Sequence, residues 1–165
     1  MTNTTELEAI DTETRETDSA EYREIVSFRL SEQDFCIDIM NIREIRGWTP
    51  PTPLPHSPDY VRGLINLRGS VLPIVDLSRR LGLSSREATS RDVIIVVMVE
   101  TQLIGLVVDG VSDILTVKQT DFQPTPSVGS DNAQGYVQGI MAIEGRMIRL
   151  LDLKRVFPTK CGEAA

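Results

Sequence analysis

Residues 60–82 have the sequence YVRGLINLRGSVLPIVDLSRRLG, and this stretch decides the fold because residues 136–158 repeat it as YVQGIMAIEGRMIRLLDLKRVFP. The two copies align without a gap, and apolar residues of one copy match apolar residues of the other. Identical residues stand at Tyr60/Tyr136, Val61/Val137, Gly63/Gly139, Gly69/Gly145, Asp76/Asp152, Leu77/Leu153 and Arg79/Arg155. A match of this length indicates one structural unit that occurs twice.

Each copy predicts a β-hairpin followed by a short helix. Two apolar runs flank a turn that contains Gly69 in the first copy, and glycine takes a positive φ there without steric cost. Asp76 and Asp152 stand at the N-cap position of the helix, where a carboxylate oxygen accepts from free backbone N–H groups. Gly82 and Pro158 are expected to end the two helices.

A weaker repeat relates the segments that precede the two copies. It pairs Val26 with Ile95, Ile37 with Leu106, Ile39 with Val108, Ile42 with Val111, Glu44 with Asp113 and Ile45 with Ile114. The ordered chain is therefore predicted to form two related halves, about 22–90 and 91–158, each with about five short strands and a short helix. This spacing favours two small barrels over a parallel sheet, because no long helix connects the strands. Residues 93–99 are apolar on both faces and are predicted to form the most buried strand.

Three segments are predicted to lie outside the regular elements. Residues 1–21 contain little apolar surface and much Thr, Glu and Asp, so we expect them to be disordered. Residues 159–165 are predicted to be a flexible tail. The many prolines of residues 48–58 exclude a helix and predict a semi-rigid loop, in which His56, the one histidine of the chain, is a surface residue.

The composition excludes several classes of partner. A net charge of −7 argues against nucleic acid as a partner. No apolar run reaches the roughly 20 residues that cross a bilayer, and the N-terminus lacks the pattern of a signal peptide. The two cysteines, Cys36 and Cys161, form no disulfide framework, which fits a reducing cytoplasm.

The sequence also lacks the usual motifs of catalysis. There is no phosphate-binding glycine loop, no GxSxG motif and no CxxC motif, and a single histidine excludes most histidine-based metal sites. Cys36 has no visible activating base, so we interpret it as a small buried apolar residue. We therefore expect no enzyme activity and no cofactor, and the sequence points to a protein that binds other proteins.

The two copies differ most sharply at the hairpin turn. Arg68 of the first copy is replaced by Glu144 in the second, which reverses the charge at one structural position. Shared positions are expected to serve the fold, and differing positions to serve the function. The alternative is that both residues are solvated turn charges without a role, because exposed charges at turns are common.

Several stretches resemble the CheW family of bacterial chemotaxis coupling proteins. Residues 63–69 (GLINLRG) and 73–77 (PIVDL) are similar to the family's NLRG and PIVDL signature. Residues 39–47 (IMNIREIRG) and 105–114 (GLVVDGVSDI) are also similar to the family. The motifs occur in the family's order, and the resemblance covers about 22–158.

The resemblance implies a mainly β fold of two intertwined five-stranded SH3-like β-barrels with short helices, in a single domain over residues 22–158. It implies a non-catalytic adaptor that couples the cytoplasmic tip of methyl-accepting chemoreceptors to the regulatory domain of the histidine kinase CheA. Such a protein is expected to be cytoplasmic, to be a monomer alone, and to join rings or lattices with its partners at the inner membrane.

The resemblance also implies a set of protein-binding residues. By position, Arg68 is the arginine of the NLRG turn, which the family associates with coupling, and Ile42 and Glu44 fall on the same partner-facing surface. Alternation alone would bury Ile42, and a solvated charge is an alternative role for Glu44. The predicted set consists of Arg68, Glu44, Ile42, Ile45, Asn66, Val71 and Val111.

Two docking modes and two other functions complete these expectations. A groove between the barrels would take the helical hairpin tip of a receptor, and a barrel face would contact the kinase. One alternative function is coupling in a non-flagellar chemosensory system, such as one that controls surface motility. The other is a small-ligand-binding or enzymatic barrel, which predicts turnover or a ligand-induced stability shift in the isolated protein.

Overall fold

The computed structural model describes residues 22–83, 89–124 and 135–157. In these residues the chain forms ten strands, two one-turn α-helices and two 3-10 turns. The strands are β1 (Tyr22–Leu30), β2 (Gln33–Asp38), β3 (Ile42–Gly47), β4 (Val61–Leu67), β5 (Ser70–Asp76), β6 (Val93–Val99), β7 (Gln102–Val108), β8 (Gly110–Lys118), β9 (Val137–Ile143) and β10 (Arg146–Leu151). The helices are α1 (Leu77–Arg80) and α2 (Leu153–Val156), and the 3-10 turns are Ile39–Asn41 and Gln119–Asp121. The predictions for residues 1–21, Pro158, Cys161 and the tail 159–165 lie outside the described residues.

The strands form two five-stranded sheets that exchange strands between the two halves of the sequence. The first sheet has the order β8-β1-β2-β10-β9, and the second sheet has the order β3-β6-β7-β5-β4. Each sheet is mostly antiparallel but contains one parallel pair, β2 with β10 in the first and β5 with β7 in the second. The mainly β fold with two intertwined five-stranded units is confirmed. The exchange occurs because both halves cross from one sheet to the other between their second and third strands.

The hairpins of the two copies turn in the same way. Arg68 and Gly69 have φ values of 52° and 87°, and Glu144 and Gly145 have φ values of 48° and 78°. Two consecutive positive φ values between directly paired strands are typical of a type I′ turn. The positive φ of the glycine is confirmed, whereas the positive φ of the preceding charged residue was not anticipated.

The predicted helix caps are present in both copies. The carboxylate of Asp76 accepts from the backbone N–H of Arg79 at 3.3 Å, and that of Asp152 accepts from the backbone N–H of Lys154 at 3.1 Å. Gly82 follows α1 with a φ of 80°, as expected for a residue that ends a helix. The short helices therefore begin where the sequence placed them.

The repeated glycine of each copy makes room for a loop strand. Thr52, in the predicted proline loop, pairs with Leu64 through two backbone hydrogen bonds of 2.8 Å. Gly63 has a φ of 148°, and a Cβ atom there would overlap the carbonyl oxygen of Thr52. Gln123 pairs with Ile140 in the same way beside Gly139. The loops thus add a short segment to the β4 and β9 ends of the two sheets.

Three apolar clusters form the core of the described residues. The largest contains residues of both sheets and of both helices, including Phe28, Ile95 and Val156. A second cluster belongs to the first sheet alone and a third to the second sheet alone. Strand β6 contributes to the shared cluster from one face and to the third cluster from the other. The prediction that this strand is buried on both faces is confirmed.

Candidate protein-binding site

Exposed apolar side chains mark equivalent places on the two sheets. Seven large apolar residues are exposed in the described part of the chain: Tyr22, Met40, Ile45, Leu54, Val71, Ile114 and Met147. Ile45 and Ile114 are equivalent in the repeat, and so are Val71 and Met147. Each sheet therefore presents one exposed apolar pair. Exposed apolar residues at defined positions are candidates for contact with a partner.

A β-bulge decides which side chains of β3 face the core. The ladder between β3 and β6 shifts between Ile42, which pairs with Val97, and Glu44, which pairs with Val96. Since directly paired residues lie on one face of a sheet, Ile42 and Ile45 share a face and Glu44 lies on the other. Ile42 packs partly buried against the shared core cluster. The core interpretation of Ile42 is therefore the better one.

Glu44 and Arg68 form a contact across 24 residues of sequence. An Nη atom of Arg68 donates to Oε2 of Glu44 at 3.0 Å, and Arg46 lies 3.7 Å from Oε1 of the same carboxylate. The side chain of Arg68 is 79% exposed, whereas that of Glu44 is only 23% exposed. This contact joins β3, at one end of the second sheet, to the hairpin turn at the other end. Such an exposed ion pair orients Arg68 more than it stabilises the fold.

Buried polar atoms beside this ion pair lack hydrogen bonds. Among the described residues, Oε1 of Glu44 and Nε of Arg46 are buried without a hydrogen-bond partner. Atoms of this kind are uncommon in folded proteins, and each one requires an explanation. The guanidinium of Arg46 lies at ion-pair distance from Oε1 of Glu44, so its charge compensates this oxygen in place of a hydrogen bond.

Two exposed apolar residues are close in the chain to the residues of this ion pair. Ile45, which follows Glu44, is 42% exposed, and Val71, three residues after Arg68, is 63% exposed. We call these four residues the Arg68 surface. It combines an exposed arginine, held by Glu44, with apolar side chains, and arginine is enriched at the centre of protein interfaces.

The remaining predicted residues take different positions. Asn66 accepts from the backbone N–H of Gly69 at 3.0 Å, so its side chain serves the hairpin turn. Val111 lies on β8 in the first sheet, where it packs partly buried against the shared core cluster. The structure therefore brings Glu44 and Arg68 into contact and leaves Ile45 and Val71 exposed near them in the chain, whereas Val111 lies on the other sheet.

The sequence reasoning missed other exposed residues. Ile114 and Met147 are 60% and 53% exposed, and the repeat alignment with Ile45 and Val71 was the signal that would have found them. Met40 is 85% exposed in the 3-10 turn before β3. Apolar residues alternate at positions 40 and 42, and this pattern did not predict the exposure of Met40 because the 3-10 turn interrupts the alternation before β3.

Met40 borders a cleft of about 420 Å³ at the start of β1, which we call the Met40 cleft. Its floor is polar, because Arg23 forms an ion pair with Asp38 at 2.7 Å. The guanidinium of Arg23 also lies above the ring of Phe122. The cleft is lined by Tyr22, Arg23, Glu24, Asp38, Ile39, Met40 and Thr116. A groove with an apolar rim and a fixed polar floor is suited to an amphipathic helix.

Potential metal ligands and the cysteine of the described residues are the next features that bear on chemistry at this site. No group of three or more metal-ligating side chains occurs among them. Burial raises the pKa of the Cys36 thiol from 9.0 to about 12, with smaller opposing effects of Arg23 and Asp38. Such a thiol is a poor nucleophile, so the interpretation of Cys36 as a buried apolar residue is confirmed. None of the helices in the described ranges has the length and apolar character that a bilayer crossing requires.

Two five-stranded sheets built from an internal repeat define a duplicated, mainly β fold. The model of the CheW-like domain matches residues 24–161, and the chain belongs to the CheW family, the coupling and scaffold proteins of chemotaxis.

Individual relatives support this assignment. The chain is 57% identical to the chemotaxis protein CheW of Rhizobium meliloti (strain 1021) over 143 residues, 87% of this chain and 92% of the relative. The crystal structure of the scaffolding protein TtCheW from Thermoanaerobacter tengcongensis matches with a TM-score of 0.76 and 31% identity, covering 82% of this chain and 92% of that one. Protein FrzA of Myxococcus xanthus is 27% identical, covering 83% of this chain and 86% of the relative.

Proposed function

We propose that this protein is a non-catalytic adaptor that couples the cytoplasmic tip of methyl-accepting chemoreceptors to the regulatory domain of the histidine kinase CheA. The observation that carries the proposal is the Arg68 surface, where an exposed arginine is oriented by Glu44 beside exposed Ile45 and Val71. Family membership supplies the chemotaxis setting.

The Arg68 surface is the proposed contact with the kinase. Arg68 is held at one end by its turn and at the other by Glu44, so its guanidinium loses little freedom on binding. Ile45 and Val71 supply apolar area around it. The charge at the equivalent position of the second copy is negative, so Glu144 would repel a partner that selects Arg68.

The Met40 cleft is the proposed contact with the receptor. An amphipathic helix would place an apolar side chain against Met40 and Tyr22, and a polar group against the Arg23–Asp38 pair. Two different surfaces on one protein allow receptor and kinase to bind together.

Two separate surfaces also allow extended assembly. A protein that offers a different contact to each neighbour joins rings or lattices, and repeated weak contacts add up to firm attachment. We propose that the protein is a cytoplasmic monomer alone and enters receptor arrays at the inner membrane through its partners. Coupling in a non-flagellar chemosensory system is the second candidate.

Co-sedimentation with receptor-bearing vesicles tests the proposal. We expect the kinase regulatory domain to sediment with the vesicles only when this protein is added. Recruitment of the kinase domain in the absence of this protein, or no binding of this protein to cognate vesicles, would contradict the proposal. A small-ligand barrel would instead show a ligand-induced rise in thermal stability without either partner.

A further inference from the structure

Arg80 contacts both copies of the repeat. Its guanidinium lies above the rings of Tyr60 and Tyr136, 5.2 Å and 4.9 Å from their centroids. These tyrosines are the first residues of the two copies. Tyr60 immediately precedes β4 of the second sheet, and Tyr136 immediately precedes β9 of the first sheet.

Two hydrogen bonds fix the orientation of the Arg80 guanidinium. Nη1 of Arg80 donates to the hydroxyl of Tyr136 at 2.7 Å, and Nε of Arg80 donates to the carbonyl oxygen of Val156 at 3.0 Å. Val156 ends α2 and is the position equivalent to Arg80 in the repeat. One arginine therefore joins both helix ends, and the second copy has no cation to match it.

The apolar packing around Arg80 explains why directional hydrogen bonds matter for the relative orientation of the two sheets. The two sheets meet through the shared apolar cluster, which includes Leu77, Leu81, Leu153 and Val156 around the helices. Apolar contact is non-directional, so it favours proximity but tolerates sliding of one packed layer past the other. The fork of the guanidinium fixes both the distance and the angle between the groups it binds.

We propose that Arg80 is a positioning residue that fixes the orientation of the first sheet relative to the second. This inference rests on the proposed function in one respect, because coupling needs the Arg68 surface and the Met40 cleft at a set angle. The orientation itself is a property of the isolated protein. Arg80 contacts neither surface, so it acts on binding only through geometry.

A distance measurement between two spin labels tests the orientation directly. One label is attached at Thr101→Cys, in the turn that joins β6 and β7 of the second sheet, and the other at Ala142→Cys in β9 of the first sheet. Both positions are exposed, and the background variant is Cys161→Ser. Buried Cys36 stays unlabelled because its side chain has no exposure to solvent. We expect Arg80→Met to widen the distance distribution by about twofold, through sliding of the packed sheets. The exposed neighbour variant Arg79→Met is the control and keeps the narrow distribution.

Further variants separate positioning from stability. Tyr136→Phe removes only the hydroxyl acceptor and is expected to widen the distribution less than Arg80→Met. An unchanged distance distribution in Arg80→Met would overturn the proposal. If the melting temperature of this variant fell at the same time, Arg80 would have a purely stabilising role.

The coupling assay then measures the consequence. Where the wild type couples, Arg80→Met should bind each partner alone normally but assemble the ternary complex about tenfold more weakly, because only a fraction of molecules has the competent orientation. Equal ternary assembly would overturn the link to coupling. A wild type that fails to couple would refute the proposed function, while the label distances would still decide the role of Arg80.

Discussion

Reversing the charge of Arg68 distinguishes a contact residue from a solvated turn residue. In Arg68→Glu the new carboxylate lies beside Glu44, so an ion pair of 3.0 Å becomes a repulsion. The backbone tolerates the change, because Glu144 occupies the equivalent turn position with a φ of 48° against 52° for Arg68. We therefore expect the variant to fold.

The structure sets different magnitudes for stability and for binding. With the Arg68 side chain 79% exposed, solvent screens the pair, and the reversal should lower the free energy of unfolding by only about 1 kcal/mol. Removing a charged residue from the centre of an interface weakens the binding free energy by about 2 kcal/mol or more, which raises Kd roughly 30-fold. The effect on binding should therefore exceed the effect on stability.

The assay is calorimetric titration of the kinase regulatory domain, with the melting temperature recorded for every variant. Glu144→Arg is the matched control at the equivalent turn and should bind as the wild type does. The double variant Glu44→Arg with Arg68→Glu restores the ion pair in the opposite sense, and binding should remain weak. Recovery of binding in the double variant, or a change below about threefold in Arg68→Glu, would refute direct contact.

The remaining predictions concern the turn, the glycines and the cysteine. Arg68→Asn should raise the free energy of unfolding by up to about 1 kcal/mol, because Asn-Gly suits a type I′ turn. The same variant should bind the kinase more weakly. A lower free energy of unfolding in a denaturant titration would contradict this prediction. Gly63→Ala should lower the free energy of unfolding by more than about 3 kcal/mol, because the new Cβ would overlap Thr52. Gly139→Ala should lower it less in the same denaturant titration, because the new Cβ would lie 3.3 Å from the nearest backbone oxygen. Burial holds the pKa of Cys36 near 12, so the thiolate forms first in the unfolded chain, and stability should fall as pH rises from 9 towards 12. In Cys36→Ala, the free energy of unfolding measured over the same pH range should fall less than in the wild type.

The local features of this fold were predictable from the sequence because each has a short-range cause. The turn at Gly69, the caps at Asp76 and Asp152, and the doubly buried strand β6 each depend on neighbouring residues. Internal repetition strengthened these predictions, since every signal was present twice.

Long-range features were beyond the sequence patterns. Alternation along one strand carries no information about its partner, so the exchange of strands between the two halves had no local signal. The offset between Ile42 and Ile45 was visible, but its cause is a bulge against β6. The contact of Arg68 with Glu44 depends on the approach of strands from opposite ends of the sheet order. The place of Arg80 between two tyrosines depends on how the sheets pack.

Autophosphorylation of CheA in membranes that contain cognate receptor is the most direct test of the central claim. The rate is measured with and without this protein, and again without receptor. The account predicts that the protein stimulates the kinase only when receptor and kinase are both present, and that the state of the receptor then controls the rate. A kinase rate that is the same with and without this protein would contradict the account.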